Sequence, residues 1–333
     1  MYYRYKVKKK KFGLTKYFII LLLIGGIVYA GSRYKNYLLF WKYSYSKIDS
    51  KISEAESERD LTLKKEKLKN LIPVMARYRD DNQTNADLFL SSGKVYSILG
   101  EAGLNGSFSD IVINDRAGNT PISARNEFIK AVKLFLKGEA LLDGKKMTSD
   151  YYLCYAKSCF FTNFKTINEI YSILEKEVKP FDLSSIEDLR FYSYIMILAG
   201  KGDEGLKLLA DHGKTGENLK GKFYLAASEK TAKKYTSAIN SYKTILTMTR
   251  EKNELKLANS DLGKVYSAQS LFSEALVHFT AASEHDPSDL EVKLWLGKSY
   301  LSLGDVIKAK AIFSEVIAAD AANAEAKKLL GNM

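Results

Sequence analysis

A chain of 333 residues, 46% hydrophobic and 27% charged, has the composition of a folded protein, and it is long enough for two or three domains or one extended repeat array. The formal charge of +12 points to an acidic partner only until the bases are located: residues 1–16 hold seven Lys/Arg and no acid, which leaves +5 for the rest. A basic tail without a folded basic face and interleaved readout residues argues against nucleic acid as the partner.

The tail 1–16 is followed by an uncharged apolar run from Tyr17 to Gly31. Adding Phe12 to Thr15, with Lys16 reaching back to the headgroups, brings the run to the roughly 20 residues that cross a bilayer. Tyr34, Tyr37, Phe40, Trp41, Tyr43 and Tyr45 continue it as an interfacial aromatic belt. Residues 17–46 are therefore expected to form a single transmembrane anchor and its juxtamembrane helix. The lysines before the span keep 1–16 cytoplasmic and send the bulk of the chain across the membrane, which in a bacterium means the periplasm or the exterior. The competing reading is a cleaved signal peptide, cut after Ala30 with small residues at Val28 and Ala30, which would leave a soluble periplasmic binding module.

Residues 47–82 are highly charged, with apolar places at Ile48, Ile52, Leu61, Leu63, Leu68 and Leu71. They read as a helical stalk or a first packing helix with a solvated face. Residues 83–221 read as degenerate helix pairs. The segment around Gly93 and Tyr96 opens the first, and its partner helix carries Ala131 and Phe135. Between the two lies an insertion at 101–123, rich in Gly, Asn, Asp and Ser and too long for a tight turn, which reads as a polar surface loop available for binding. Further pairs fall at 150–178, with a turn at Thr162 to Asn163, and at 186–213, with a turn at Gly200 to Asp203. Cys154 and Cys159, five apart on one helix, read as small buried apolar residues.

The strongest signal is in 222–333. A shift of 34 superimposes Leu262 on Leu296, Gly263 on Gly297, Tyr266 on Tyr300, Ala275 on Ala309 and Phe279 on Phe313. The glycine lets a first helix approach a second, the alanine supplies a matching shallow surface, and the aromatic fills what remains. Pro287 marks the end of a second helix. An earlier unit, with Ala226, Ala238 and Tyr242, sits 37 residues before the next and has Glu229 where the tyrosine belongs. These residues resemble the tetratricopeptide repeat family, whose pattern is Leu-Gly-x-x-Tyr in the first helix and Ala-x-x-x-Phe in the second. The expected fold is all-α, a superhelix of antiparallel helix pairs behind the membrane anchor.

No phosphate loop, nucleophile elbow, paired histidines or dinucleotide fingerprint occurs, so no enzyme, cofactor, metal or small-molecule substrate is expected. The family resemblance implies ligands along the concave face, at places here held by Ser260, Lys264, Ser267, Leu294, Lys298 and Leu301, with Lys264 and Lys298 stacking as a basic ladder. Asp261 and Trp295 stand where the family's peptide clamps carry asparagine, which speaks against that clamp. The implied function is a membrane-anchored scaffold holding other proteins of an envelope complex, such as the collar of a periplasmic flagellar motor or a secretion apparatus.

Overall fold

The computed structural model describes residues 47–116, 118–183, 185–212 and 218–333. The expected anchor at 17–46 lies outside them, and among the described residues no helix is long and apolar enough to cross a membrane. These residues form α-helices, with a 3-10 turn at Pro180–Asp182 and no strand among them.

Two helices open the described chain, α1 (Ile48–Glu56) and α2 (Leu61–Asp81), separated where Asp60 caps α2 by accepting from the Leu63 amide. Ile48, Ile52, Leu68 and Leu71 are buried against α3 (Ala86–Ala102), while Leu61 and Leu63 stay exposed. The charged 47–82 segment is therefore a hairpin packed on the array, which is the first-packing-helix reading and not a free stalk.

Helix pairs then follow in succession. They are α3 with α5 (Ile122–Ala140), which flank the short α4 (Phe108–Ile113), then α6 (Ser149–Thr162) with α7 (Ile167–Glu177), and α8 (Ile186–Leu198) with α9 (Gly202–His212). The last three are α10 (Leu219–Thr231) with α11 (Tyr235–Met248), α12 (Lys252–Ala268) with α13 (Phe272–His285), and α14 (Leu290–Ser302) with α15 (Val306–Ala319), capped by α16 (Ala324–Gly331). Each second helix packs on the next pair's first helix. First helices α8, α10, α12 and α14 also touch one another, and second helices make no comparable contact among the described residues. The first-helix face is therefore the inner, crowded side of a stacked array.

The residues expected to make the pairs do so. A Cβ on Gly263 would sit 2.8 Å from the Phe279 ring, and one on Gly297 2.6 Å from Phe313. The same contact recurs at Gly93 with Phe135. Glycine is needed there because the ring lies where a side chain would point. Ala131, Ala238, Ala275 and Ala309 are fully buried opposite, as is Tyr242 in the unit whose spacing is 37. The extra residues of that unit lengthen α12 to 17 residues, against 13 in α10 and α14, so the core register survives. The turns also fall as expected: Asn163 takes a left-handed φ of 54° after α6, and Gly200 takes 86° between α8 and α9. Cys154 and Cys159 are buried free thiols, and burial pushes Cys159 up to about 12, which makes it a poor nucleophile.

One core group is tied to pH. His278 stacks on Tyr266 at 5.4 Å and its Nδ1 donates to Asn259 Oδ1 at 3.0 Å. Burial first, and then the Lys243 charge, lower its pKa from the usual 6.5. A lowered base stays neutral in the fold while the unfolded chain takes up a proton, so this contribution is present above pH 6.5 and lost as pH falls below it. Urea midpoints measured at pH 7 and pH 5 are expected to drop on acidification. The drop should shrink in His278→Gln, and an unchanged slope would refute the assignment.

Candidate functional site

The inner face is divided into two regions. Over α6, α8 and α10 it is covered by the chain's own insertion, which corrects the expectation of a polar surface loop at 101–123. Phe108, Ser109, Ile111, Val112 and Ile113 of α4 are all buried, and α4 packs on α8 and α10. The readable signal was FSDIVI, an apolar run inside a polar stretch and opened by a Ser-x-x-Asp capping box. Ser107 accepts from the Asp110 amide, and Asp110 accepts in return from the Ser107 amide.

Beyond the insertion the inner face is open. A cavity of 390 Å³ lies among α12, α14 and α16, lined by Lys264, Ser267, Phe272, Trp295, Lys298 and Leu301 among others. Four of the six residues expected to contact a partner, Lys264, Ser267, Lys298 and Leu301, thus share one pocket. The other two do not. Leu294 is only 7% exposed and packs with Ala309, Phe313, Val316 and Ala326, so it is a core residue and not a contact. Ser260 is nearly buried and faces a neighbouring cavity of 320 Å³ that reaches back to Asn114 and Arg116 of the insertion.

The two lysines do not form a bare basic ladder. Lys264 pairs with Glu291 at 2.7 Å and Lys298 pairs with Glu325 at 2.6 Å, each acid lying in the first turn of the next inner helix. The carboxylate satisfies the lysine and favours the helix N-terminus, so the pairs hold successive units together. Burial would lower Lys264, but the charges of Asp261 and Glu291 outweigh it and hold its pKa above the ordinary value. Lys298 also lies 4.2 Å from the centroid of Trp295, whose ring stacks on Phe279 at 5.7 Å. The pocket is therefore an apolar, aromatic slot rimmed by two ammonium groups.

Asp261 has a role the sequence did not disclose. It is 2% exposed, accepts from Lys230 at 2.8 Å and from the Tyr242 hydroxyl at 3.1 Å, and so joins α10, α11 and α12. The acid is thus used to hold three helices together. Among the described residues no group of three His, Cys, Asp or Glu could hold a metal ion.

Stacked hairpins with a crowded inner face and an open slot define an all-α helical-repeat array. The family model described as Tetratricopeptide repeat matches residues 266–333, the last two units of the array. Similar solved structures include a tetratricopeptide repeat protein from Parabacteroides merdae, 14% identical with a TM-score of 0.47, covering 86% of this chain and 97% of that one. The C-terminal part of a repeat-containing protein from Cytophaga hutchinsonii is 12% identical with a TM-score of 0.45, covering 86% and 98%. MamA from Desulfovibrio magneticus RS-1 is 15% identical with a TM-score of 0.39, covering 53% and 97%. No curated protein matches the chain.

Proposed function

We propose that this chain is a single-pass scaffold of the cell envelope, with its N-terminus in the cytoplasm, that holds a segment of a partner protein in the slot among α12, α14 and α16. The observation that carries this is the slot itself: a half-buried aromatic and aliphatic floor beside Lys264 and Lys298, on a part of the inner face that the insertion does not cover. A partner segment with a large apolar side chain for the floor and a carboxylate beside it is the complement, since the carboxylate can exchange with Glu291 or Glu325. The chain contributes burial and shape, with no chemistry of its own. The apolar run at Tyr17 to Gly31 behind seven cytoplasmic bases supports the anchor, and a collar of a flagellar motor or a secretion apparatus is the kind of assembly such a layout serves.

The test is a photo-cross-linking residue placed at Leu301 in intact cells. One dominant adduct is expected, and Trp295→Ala with Lys298→Glu should reduce its yield about tenfold or more, as for loss of an interface anchor. An adduct indifferent to both substitutions would refute the slot. Protease added outside spheroplasts should digest the described part only if the bulk lies beyond the cytoplasmic membrane.

A further inference from the structure

We propose that the inner surface of α6, α8 and α10 is a second peptide-binding site, occupied in cis by Leu104–Arg116, and that a partner segment of the same pattern binds there by displacing it. The pattern is an aromatic residue at the first position of a short helix, a carboxylate two residues later and β-branched aliphatics directly after it. This site is separate from the C-terminal slot and stands or falls independently of it.

The insertion sits as a ligand sits. Phe108 enters an aromatic pocket, with ring centroids 5.3 Å from Phe191, 5.7 Å from Tyr194, 6.2 Å from Phe160 and 6.4 Å from Phe161. Polar groups fix its register. The Ser109 amide and hydroxyl both donate to Glu187 at 2.8 Å, Arg190 donates to the Ser109 hydroxyl at 2.8 Å, and Lys220 pairs with Asp110 at 2.7 Å. Apolar anchoring with polar groups that set orientation is the arrangement of a recognition site more than of a repeat core.

Three features make the occupant exchangeable. Its helix carries its own N-terminal cap, because the Ser107 and Asp110 box satisfies the amides of those two residues within the segment. It is joined to the array through Gly106, at φ 120°, where any side chain would be strained, and through exposed residues at Asn114 to Arg116. The fit is also incomplete, since the buried Arg190 keeps its Nε without an acceptor. Removing the segment with nothing in its place would bare four aromatic rings to water, so exchange requires a partner of matching chemistry. A tethered occupant acts at a millimolar effective concentration, so only a strong or locally concentrated partner replaces it, and the segment sets a threshold for binding.

The test uses the full chain in detergent, with residues 105–116 replaced by an equal length of Gly/Ser, and a fluorescent peptide of residues 104–116. The replaced chain is expected to bind this peptide about a hundredfold tighter than the unaltered chain, whose site is filled. A peptide carrying Phe108→Ala should bind at least about tenfold more weakly. A replaced chain that keeps its helical circular dichroism and ignores the peptide overturns the proposal. If the replaced chain does not fold, full-length Phe108→Ala decides. Faster hydrogen exchange confined to 104–116, together with peptide binding, supports the proposal. Continued protection of 104–116, or unfolding of the whole array, makes the segment a fixed core element and overturns it.

Discussion

Phe279→Ala is expected to destabilise the array by about 4 kcal/mol, at the cost typical of deleting a fully buried phenylalanine. The ring fills the space that Gly263 leaves open between α12 and α13, and it stacks on Trp295 of α14. Neither glycine nor the rigid indole can move into the void, so the cavity persists. Urea denaturation followed by circular dichroism gives the size of the loss. Position along the stack determines its reach. Phe279 belongs to an apolar cluster that runs back to Leu90, whereas Phe313 sits in a small terminal cluster with Leu294, Ala309, Val316 and Ala326. In a quasi-one-dimensional array each unit leans on its neighbours. Phe313→Ala is therefore expected to speed hydrogen exchange only within about 290–331, and Phe279→Ala to speed it on both sides of α13. Identical, purely local effects would show that the units fold independently.

Lys157→Ala is expected to cost about 3 kcal/mol, the low end for removing one member of a buried ionic group. Lys157 of α6 is 8% exposed and donates to Asp188 of α8 at 2.5 Å and to Glu101 of α3 at 2.9 Å, tying three inner helices together. Burial pulls its pKa down, but the charges of Glu101 and Asp188 outweigh this and hold it well above 10.5, so the ammonium persists throughout the neutral and acid range. Without it two carboxylates face each other beside a cavity of 580 Å³ with no counterion between them. The side chain of Glu101 keeps 35% of its surface exposed, and solvent screening there limits the loss. Burial raises the pKa of Glu101 above the ordinary carboxyl value, so the gap between Lys157→Ala and the unaltered chain should be widest at pH 7 and narrow on acidification as Glu101 takes up a proton. A gap constant with pH would assign the effect to packing of the lysine stem instead.

The helix pairs were legible in the sequence because each is a local object. Gly263 meets Phe279 and Gly297 meets Phe313 within one hairpin, so the packing rule appears as a repeated spacing. The turns at Asn163 and Gly200 were legible for the same reason, since the left-handed backbone there is a property of one residue and its neighbours. The tertiary structure alone decided the fate of the insertion. Ser109 finds Glu187 78 residues away and Ser107 finds Lys220 113 residues away, and no short-range pattern encodes such partners. It also decided which expected contact residues are usable. Leu294 turned into the core, while Lys264 and Lys298 found acids in the following inner helix. A helical period gives the face on which a side chain lies, but its accessibility and charge balance depend on the unit stacked against it, and that is settled only when the array closes.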